Sequence, residues 1–203
     1  MITAYLWGTP NGYKIAIALE EMELEYTVHW VDISSGAQRA EGFLKLSPNG
    51  KIPAIVDHDT GISLMESGAI LQYLAQKSGK FGGQTLAEQA EINQWLHWQM
   101  GGLGPIVGQV NHFRGLAEKV PYAEKRYFDE TLRLFDVLEK RLQGRDYVAG
   151  AYSIADMAVA PWAGMSAHLG DQSFDEFENV LAYLTRNVAR PGTARALRLT
   201  PSR

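Results

Sequence analysis

The sequence predicts an α/β half followed by an all-helical half. Strand and helix patterns alternate over residues 1–78 in the order βαβ–α–ββα, whereas every periodic segment after residue 84 has the helical repeat. A glycine-rich stretch, Ser78–Gln84, joins the two halves. A chain of 203 residues is long enough for two small domains. We therefore expect an α/β domain over residues 1–78, a linker over 79–84 and an all-α helical-bundle domain over 85–203.

The elements of the first half follow from local patterns. A short apolar strand ends at the turn residues Gly8–Gly12, and apolar residues then recur at helical spacing. A segment rich in β-branched and aromatic residues predicts the second strand, and Ser47–Gly50 ends a short helix after it. Two further strands flank Asp57–Gly61, as in a hairpin, and a last helix follows. The predicted strands are 2–6, 26–33, 54–56 and 62–64, and the predicted helices are 15–22, 38–46 and 66–76.

The second half contains four helical segments, at 85–112, 121–143, 153–167 and 174–188. Gly101–Pro105 interrupts the first segment, which predicts a kink or the close approach of another backbone. Ser153 and Asp156 have the spacing of a capping box at the start of the third segment. The basic stretch 186–203 is interpreted as a solvated end of the chain.

The composition excludes several classes of functional site and partner. The chain has no cysteine, which excludes disulfide bonds, thiolate metal sites and a cysteine nucleophile. The net charge of −4 argues against a nucleic-acid partner. No apolar run approaches the roughly 20 residues of a membrane helix, and Met1–Tyr5 has no basic start. We therefore expect no membrane partner, no signal peptide and a cytoplasmic location. The five histidines have no metal-ligand spacing, so the sequence predicts no metal site.

The dipeptide Ile52-Pro53 precedes the third predicted strand. Proline has no N–H, and an X–Pro bond loses most of its preference for the trans form, so the bond here can be cis. With a cis bond, the backbone of Ile52 turns outward and offers its N–H and C=O groups to an extended peptide, as an added strand would. The alternative is a proline that only begins a strand.

Glu66 and Ser67 lie where the last helix of the first half begins. Unpaired N–H groups and the helix dipole attract a carboxylate to Ser67, and the carboxylate of Glu66 can take an ammonium group. The pair therefore suits an amino-acid zwitterion such as the γ-glutamyl head of glutathione. The alternative is an ordinary helix cap.

The segment Thr9-Pro10-Asn11-Gly12 connects the first strand to the first helix. Its hydroxyl and amide can stabilise a bound thiolate beside the helix N-terminus, because a thiol with a pKa of about 8.5 is only slightly ionised at neutral pH. The alternatives are a turn in which Asn11 only caps the helix, and a donor role for Tyr5, whose mid-strand position favours packing instead.

Taken together, these segments resemble the cytosolic glutathione transferases. Residues 1–76 look like the thioredoxin-like domain of that superfamily, and Tyr152–Asp156 is similar to the N-capping box and hydrophobic staple of its helical domain. The segments that most resemble its bacterial nu class, which is akin to the yeast prion-forming nitrogen regulator, are Thr-Pro-Asn-Gly at 9–12, Ser-Pro-Asn-Gly-Lys-Ile-Pro-Ala-Ile-Val-Asp at 47–57 and Glu-Ser-Gly-Ala-Ile at 66–70. The resemblance spans nearly the whole chain and implies a homodimer that binds glutathione or its disulfide.

The resemblance also implies roles for individual residues. Thr9 and Asn11 would contact the reacting sulfur. Arg126 in the helical half matches an arginine that contacts a second glutathione, and the alternative for it is a solvated helix charge. The other implied contacts are Gln38 and Lys51 with the glycyl end of glutathione, Ile52 and Pro53 with its cysteinyl backbone, and Glu66 and Ser67 with its γ-glutamyl end.

The activity implied by the resemblance is a glutathione-dependent reduction of disulfide bonds. Because the chain has no cysteine, the reacting thiol would come with the bound glutathione. Two alternatives stay open at this stage. One is a transferase that conjugates glutathione to electrophiles, and the other is a regulatory protein that binds glutathione without catalysis.

Overall fold

The computed structural model, which describes residues 1–167 and 172–200, divides the chain into two compact units. The first unit comprises Met1–Gly82 and the segment that begins at Ala189, and the second is Gly83–Val188. The division falls within the predicted linker 79–84. It differs from the prediction in the segment after residue 188, which the sequence had assigned to the helical domain.

The first unit is an α/β domain built on a four-stranded mixed sheet with the strand order β2-β1-β3-β4. Strand β1 runs parallel to β2 and antiparallel to β3, and β4 pairs antiparallel with β3. The predicted order βαβ–α–ββα and the thioredoxin-like fold class are confirmed. The strands are β1 (Ile2–Leu6), β2 (Tyr26–Trp30), β3 (Ala54–Asp57) and β4 (Ile62–Met65), and the helices between and after them are α1 (Pro10–Met22), α2 (Glu41–Leu46) and α3 (Ser67–Ser78).

Two predicted elements of this unit are longer than those observed. Strand β2 ends at Trp30 instead of residue 33. The predicted helix 38–46 is split into a 3-10 turn, Ala37–Arg39, and α2, since Ala40 between them has an extended backbone.

Alternating side chains of β1 face opposite sides of the sheet, as the period of a strand requires. Ile2, Ala4 and Leu6 are buried. Tyr5 points to the other side, where it packs against the cluster Val31, Phe43 and Ala54. Its position agrees with the expected packing role.

The regular elements in the described part of the second unit are helices. Thr85 caps its first helix in a capping box with Glu88. The irregularity expected at Gly101–Pro105 is present, because the turn Gln99–Leu103 is π-helical. The predicted helix 174–188 begins only at Glu178, after a 3-10 turn at Gln172–Phe174. The helices are α4 (Leu86–Trp98), α5 (Gly104–Gly115), α6 (Pro121–Leu142), α7 (Ile154–Ala167) and α8 (Glu178–Val188).

The predicted capping box at the start of α7 is half formed. The Asp156 carboxylate accepts hydrogen bonds from the backbone N–H of Ser153 at 2.9 Å and of Val148 at 3.0 Å. The hydroxyl oxygen of Ser153, however, accepts from Ala155 N at 3.3 Å, while Asp156 N donates to the Ser153 carbonyl at 3.0 Å. The hydrogen bonds of Asp156 therefore connect the loop before α7 to the first turn of the helix.

The segment after residue 188 packs on the first unit, where α9 (Pro191–Ala196) contacts α1. The carboxylate of Glu21 accepts hydrogen bonds from Arg190 Nη2 at 2.6 Å and from the backbone N–H of Thr193 at 3.0 Å. Arg195 Nε donates to Glu20 at 2.6 Å. The interpretation of this basic stretch as a solvated end is therefore wrong for α9, and residues 201–203 lie outside the described part.

Candidate functional site

Six of the sequence-predicted site residues meet around one small cavity in the first unit. Three segments converge there: the start of α1, the loop before β3 and the start of α3. The cavity has a volume of about 70 Å³, which gives room for a small polar group. Its lining residues are Asn11, Ser47, Lys51, Ile52, Pro53, Glu66 and Ser67.

The loop before β3 presents Ile52 at the edge of the sheet. The Ile52-Pro53 peptide bond is cis, as the first of the two interpretations of this dipeptide requires. Because β3 begins only at Ala54, Ile52 lies outside the ladder of paired strands. Ser47, for which the sequence predicts no role of its own in the site, stabilises this loop: its hydroxyl donates to the Lys51 carbonyl at 2.8 Å. A serine just before Pro-Asn-Gly was the available signal for this role.

Glu66 has an unusual backbone conformation at the N-terminus of α3. Its φ of 69° and ψ of 114° are costly for a residue with a Cβ, and such strain concentrates at functional sites. The predicted start of the helix at Glu66 is thus one residue early, because Glu66 is the N-cap and Ser67 the first helical residue. The carboxylate of Glu66 is exposed at the cavity, where Asn49 Nδ2 lies 3.5 Å from Oε1.

Ser67 and the first turn of α3 favour a negative group, whereas the carboxylate of Glu66 favours a positive one. The N–H groups of a helix N-terminus favour an anion, and Ser67 adds a hydroxyl. Together with the carboxylate of Glu66, this end of the cavity can hold a carboxylate and an ammonium group of one zwitterion.

Lys14 is a further residue of this site that the sequence does not predict. It lies on α1 with only 1% of its surface exposed, and its Nζ donates to Ser67 Oγ at 3.3 Å. Burial lowers the pKa of Lys14 to about 7, although the nearby charge of Glu66 opposes this shift. The available signal was its position four residues before Ala18, on the apolar face of the helix.

Thr9 and Asn11 differ in their access to the cavity. Thr9 is the N-cap of α1, but its hydroxyl is buried and has no hydrogen-bond partner among the described residues. Asn11, the second residue of the helix, lines the cavity. A ligand atom cannot contact a buried oxygen, so Asn11 is the donor that reaches the cavity in this conformation. Asn11 does not occupy the N-cap position considered as its alternative role.

The other two sequence-predicted residues lie away from this cavity. Gln38 is in the 3-10 turn, where its Nε2 donates to the Ile33 carbonyl at 3.3 Å. Arg126 belongs to the second unit, on α6. It is exposed and borders a larger cavity of about 530 Å³, together with Tyr122, Lys125 and Arg133.

The described part of the chain, residues 1–167 and 172–200, lacks two other features. No group of three His, Cys, Asp or Glu side chains there could hold a metal ion. No helix there combines the length and the apolar character needed to cross a membrane. His168, one of the five histidines considered above, lies outside the described residues.

Comparison with known proteins assigns the family. Residues 2–76 match the model of the glutathione S-transferase N-terminal domain, and residues 110–191 match that of the C-terminal domain. The chain belongs to the glutathione S-transferase family. The resemblance inferred from the sequence, including the likeness to the nu class, is confirmed.

Three similar proteins give this assignment detail. The disulfide-bond oxidoreductase YfcG of Escherichia coli (strain K12) is 52% identical over 169 residues, which are 80% of this chain and 79% of YfcG. A glutathione transferase of Pseudomonas putida, solved with one glutathione disulfide per subunit, is 40% identical with a TM-score of 0.94 and covers 99% of this chain and 92% of its own. The nitrogen regulation fragment of the yeast prion protein Ure2p is 33% identical with a TM-score of 0.90, over 97% of this glutathione transferase and 96% of the fragment.

Proposed function

We propose that this glutathione transferase is a glutathione-dependent disulfide-bond reductase. The observation that carries the proposal is the cavity at which Asn11, Ile52 and Ser67 meet, in a chain that has no cysteine. Because the protein has no thiol of its own, the thiol that this site binds and ionises must belong to the ligand. The name of YfcG and the disulfide bound by the Pseudomonas putida enzyme support the same reaction.

The γ-glutamyl end of glutathione fits the polar end of the cavity. Its carboxylate binds at Ser67 and the N-terminus of α3, and its ammonium group binds at Glu66. Ile52 then pairs with the cysteinyl backbone as an added strand would. Lys51, which is exposed at the cavity, provides a positive charge for the glycyl carboxylate.

The three predicted site residues that do not line the cavity also have roles in the proposed reaction. Gln38 reaches the glycyl end by exchanging its hydrogen bond to Ile33 for one to the ligand. Thr9 supports the loop at the sulfur while Asn11 donates to it. Arg126 binds a second glutathione.

The reaction is thiol–disulfide exchange between small molecules. The thiolate of one glutathione attacks a disulfide RS–SR, which forms a mixed disulfide GS–SR and releases RS⁻. A second glutathione thiolate attacks the glutathione sulfur of the mixed disulfide, forming glutathione disulfide and releasing the second RS⁻. Two glutathiones are oxidised, one disulfide is reduced, and the two thiol protons of glutathione pass to the released thiolates.

The protein contributes to this reaction by favouring the thiolate. The side-chain N–H of Asn11 and the N-terminus of the 13-residue helix α1 each present a partial positive charge to the sulfur. Lowering a thiol pKa by about two units requires about 2.7 kcal/mol of preference for the ionised form. One charge-assisted hydrogen bond together with the helix dipole is of this order.

The turnover of two substrates tests the proposal. We expect reduction of 2-hydroxyethyl disulfide by glutathione, followed as glutathione disulfide formation, to exceed conjugation of chlorodinitrobenzene. Activity with chlorodinitrobenzene alone would instead establish the conjugating transferase. Glutathione binding without either activity would establish a binding protein.

We also propose that the enzyme is a homodimer in the cytoplasm. The likeness to the nu class supports the dimer, and two-fold dimers are the commonest soluble oligomers. A reaction that consumes reduced glutathione needs a compartment whose glutathione pool is reducing, as in the cytosol. A monomeric mass by light scattering would contradict the dimer.

Replacing Glu66 by Gln is expected to weaken glutathione binding more than catalysis. The change removes the negative charge that binds the γ-glutamyl ammonium while keeping nearly the same shape. Loss of one charged hydrogen bond, about 1.5–3 kcal/mol, corresponds to a rise of about tenfold or more in KM for glutathione. Because Glu66 acts far from the sulfur, kcat should change less than about threefold.

The matched control for Glu66→Gln is Glu41→Gln, which makes the same change on the exposed surface of α2. The control should keep the KM of the unmodified enzyme. An unchanged KM in Glu66→Gln, or a selective loss of kcat, would remove Glu66 from the γ-glutamyl position.

A further inference from the structure

A buried lysine lies directly behind the residue proposed to bind the γ-glutamyl carboxylate. Lys14 on α1 is among the largest fully buried side chains of the described residues. Its Nζ is 3.3 Å from Ser67 Oγ, and Ser67 lines the cavity. A buried ammonium group is costly unless charges or hydrogen bonds compensate it.

The charged groups on the elements around α1 mostly pair among themselves. Arg195 on α9 pairs with Glu20, and Arg190, the N-cap of α9, pairs with Glu21. On α3, Lys77 pairs with Asp57 at the end of β3 and with Asp59 in the turn that follows.

Glu66, at the start of α3, is a negative charge that acts on Lys14. It is exposed, so its attraction only partly offsets the cost of burying the ammonium group. A second negative charge at Ser67 would act on Lys14 in the same direction.

The protonation state of Lys14 sets the direction of its hydrogen bond with Ser67. A charged lysine has only donors, so the Ser67 oxygen accepts and the hydroxyl proton points away from the ammonium. A neutral lysine has a lone pair on Nζ, so it can accept a hydrogen bond from the Ser67 hydroxyl. A ligand carboxylate is an acceptor and therefore requires the first arrangement.

We propose that Lys14 is a positioning residue that takes up a proton when glutathione binds, so that carboxylate binding at Ser67 and protonation of Lys14 reinforce each other. The proposal rests on the proposed binding of glutathione at this cavity. Lys14 acts through Ser67 and does not touch the reacting sulfur.

The sign of the coupling follows from linkage. A carboxylate at Ser67 favours the charged form of Lys14, so the pKa of Lys14 is higher in the complex than in the free protein, where it is about 7. Binding is therefore accompanied by proton uptake at pH values between the pKa of Lys14 in the free protein and its pKa in the complex. Affinity is greatest at low pH and falls as the pH rises through the pKa of the free protein.

The test uses S-methylglutathione, which has no thiol and so removes the opposite pH dependence of thiolate binding. Its binding to the chain of 203 residues is measured by calorimetry at pH 6, 7 and 8 in two buffers of different ionisation enthalpy. For a coupling of about tenfold, affinity should fall about fivefold from pH 6 to pH 8. The same coupling gives an uptake of about half a proton near pH 7.5.

The variant Lys14→Met keeps an unbranched side chain without the charge. We expect its affinity to be about tenfold below that of the unmodified protein at pH 6, with no proton uptake and a smaller difference at pH 8. Lys45→Met is the control, because it removes one positive charge from an exposed position on α2 and should leave the pH profile unchanged. Glu66 and the ligand ammonium are the same in all three proteins, so a difference between the pH profiles reports on Lys14.

The possible results separate this inference from the proposed function. Binding of S-methylglutathione without proton uptake, or with the same uptake in Lys14→Met, would overturn the role of Lys14 and leave the proposed function standing. Failure of the unmodified protein to bind would overturn both. If Lys14→Met does not fold, Lys14→Gln and the proton uptake of the unmodified protein carry the test.

Discussion

Gly12→Ala is expected to lower disulfide reductase activity by about 100-fold. A Cβ at this buried position in α1 would lie 2.1 Å from the Trp7 carbonyl oxygen. That carbonyl also accepts from Thr9 N at 2.7 Å, so it cannot move without disturbing the loop. The start of α1, with Asn11, must then shift by about 1 Å, a displacement that can cost about 100-fold in rate.

The matched control for this change is Gly42→Ala on α2, where a Cβ meets no atom within 4 Å. It should keep full activity. Activities are compared per folded molecule, with the folded fraction measured by circular dichroism, because overpacking in Gly12→Ala also costs about 1–3 kcal/mol of stability. Activity within about twofold of the unmodified enzyme would show that the loop geometry does not position Asn11 for catalysis.

Asp156→Ala is expected to cause the largest loss of stability. Asp156 is fully buried, and its carboxylate accepts the backbone N–H groups of Val148 and Ser153. Each buried donor left without a partner costs about 1–3 kcal/mol, so the free energy of unfolding should fall by about 3–5 kcal/mol in urea titrations. Asp129→Ala on the exposed face of α6 is the control, and a similar loss there would contradict the explanation.

Asp156 also predicts a pH dependence of stability. Burial raises the pKa of Asp156 from 3.8 to about 6, although the N–H donors act in the opposite direction. The folded state therefore holds this proton more tightly than the unfolded chain, and the associated stability is complete below about pH 4 and lost as the pH rises through 6. Relative to Asp156→Asn, the unmodified protein should lose stability over this range. Parallel profiles for the two proteins would refute the shift.

The sequence predicts the fold class well because its strongest signals are local. Alternation in β1, the turn at Asp57–Gly61 and the helical repeat after residue 84 each depend on neighbouring residues. The packing of α9 on α1 is not of this kind. It depends on pairs such as Glu21 with Arg190, which are 169 residues apart in the sequence. In addition, α9 has only six residues, and its composition is typical of a solvated segment.

The site was predictable to the extent that its residues lie in short motifs. Ile52-Pro53 and Glu66-Ser67 belong to such motifs, and the structure brings both to the same cavity as Asn11. Lys14 was missed because a lysine in an amphipathic helix ordinarily points to solvent. The different access of Thr9 and Asn11 depends on the turn between Trp7 and Gly12, which composition does not reveal.

The return of α9 to α1 affects the order in which a newly made chain can fold. During synthesis, the ribosome releases the whole helical unit before Arg190 and Thr193 can reach Glu21. A nascent chain that has emerged only as far as Val188 has β1 and α1 but lacks the helix that covers one side of α1. Because domains usually fold as they emerge, the cavity proposed to bind glutathione is supported fully only after the all-helical unit has been made.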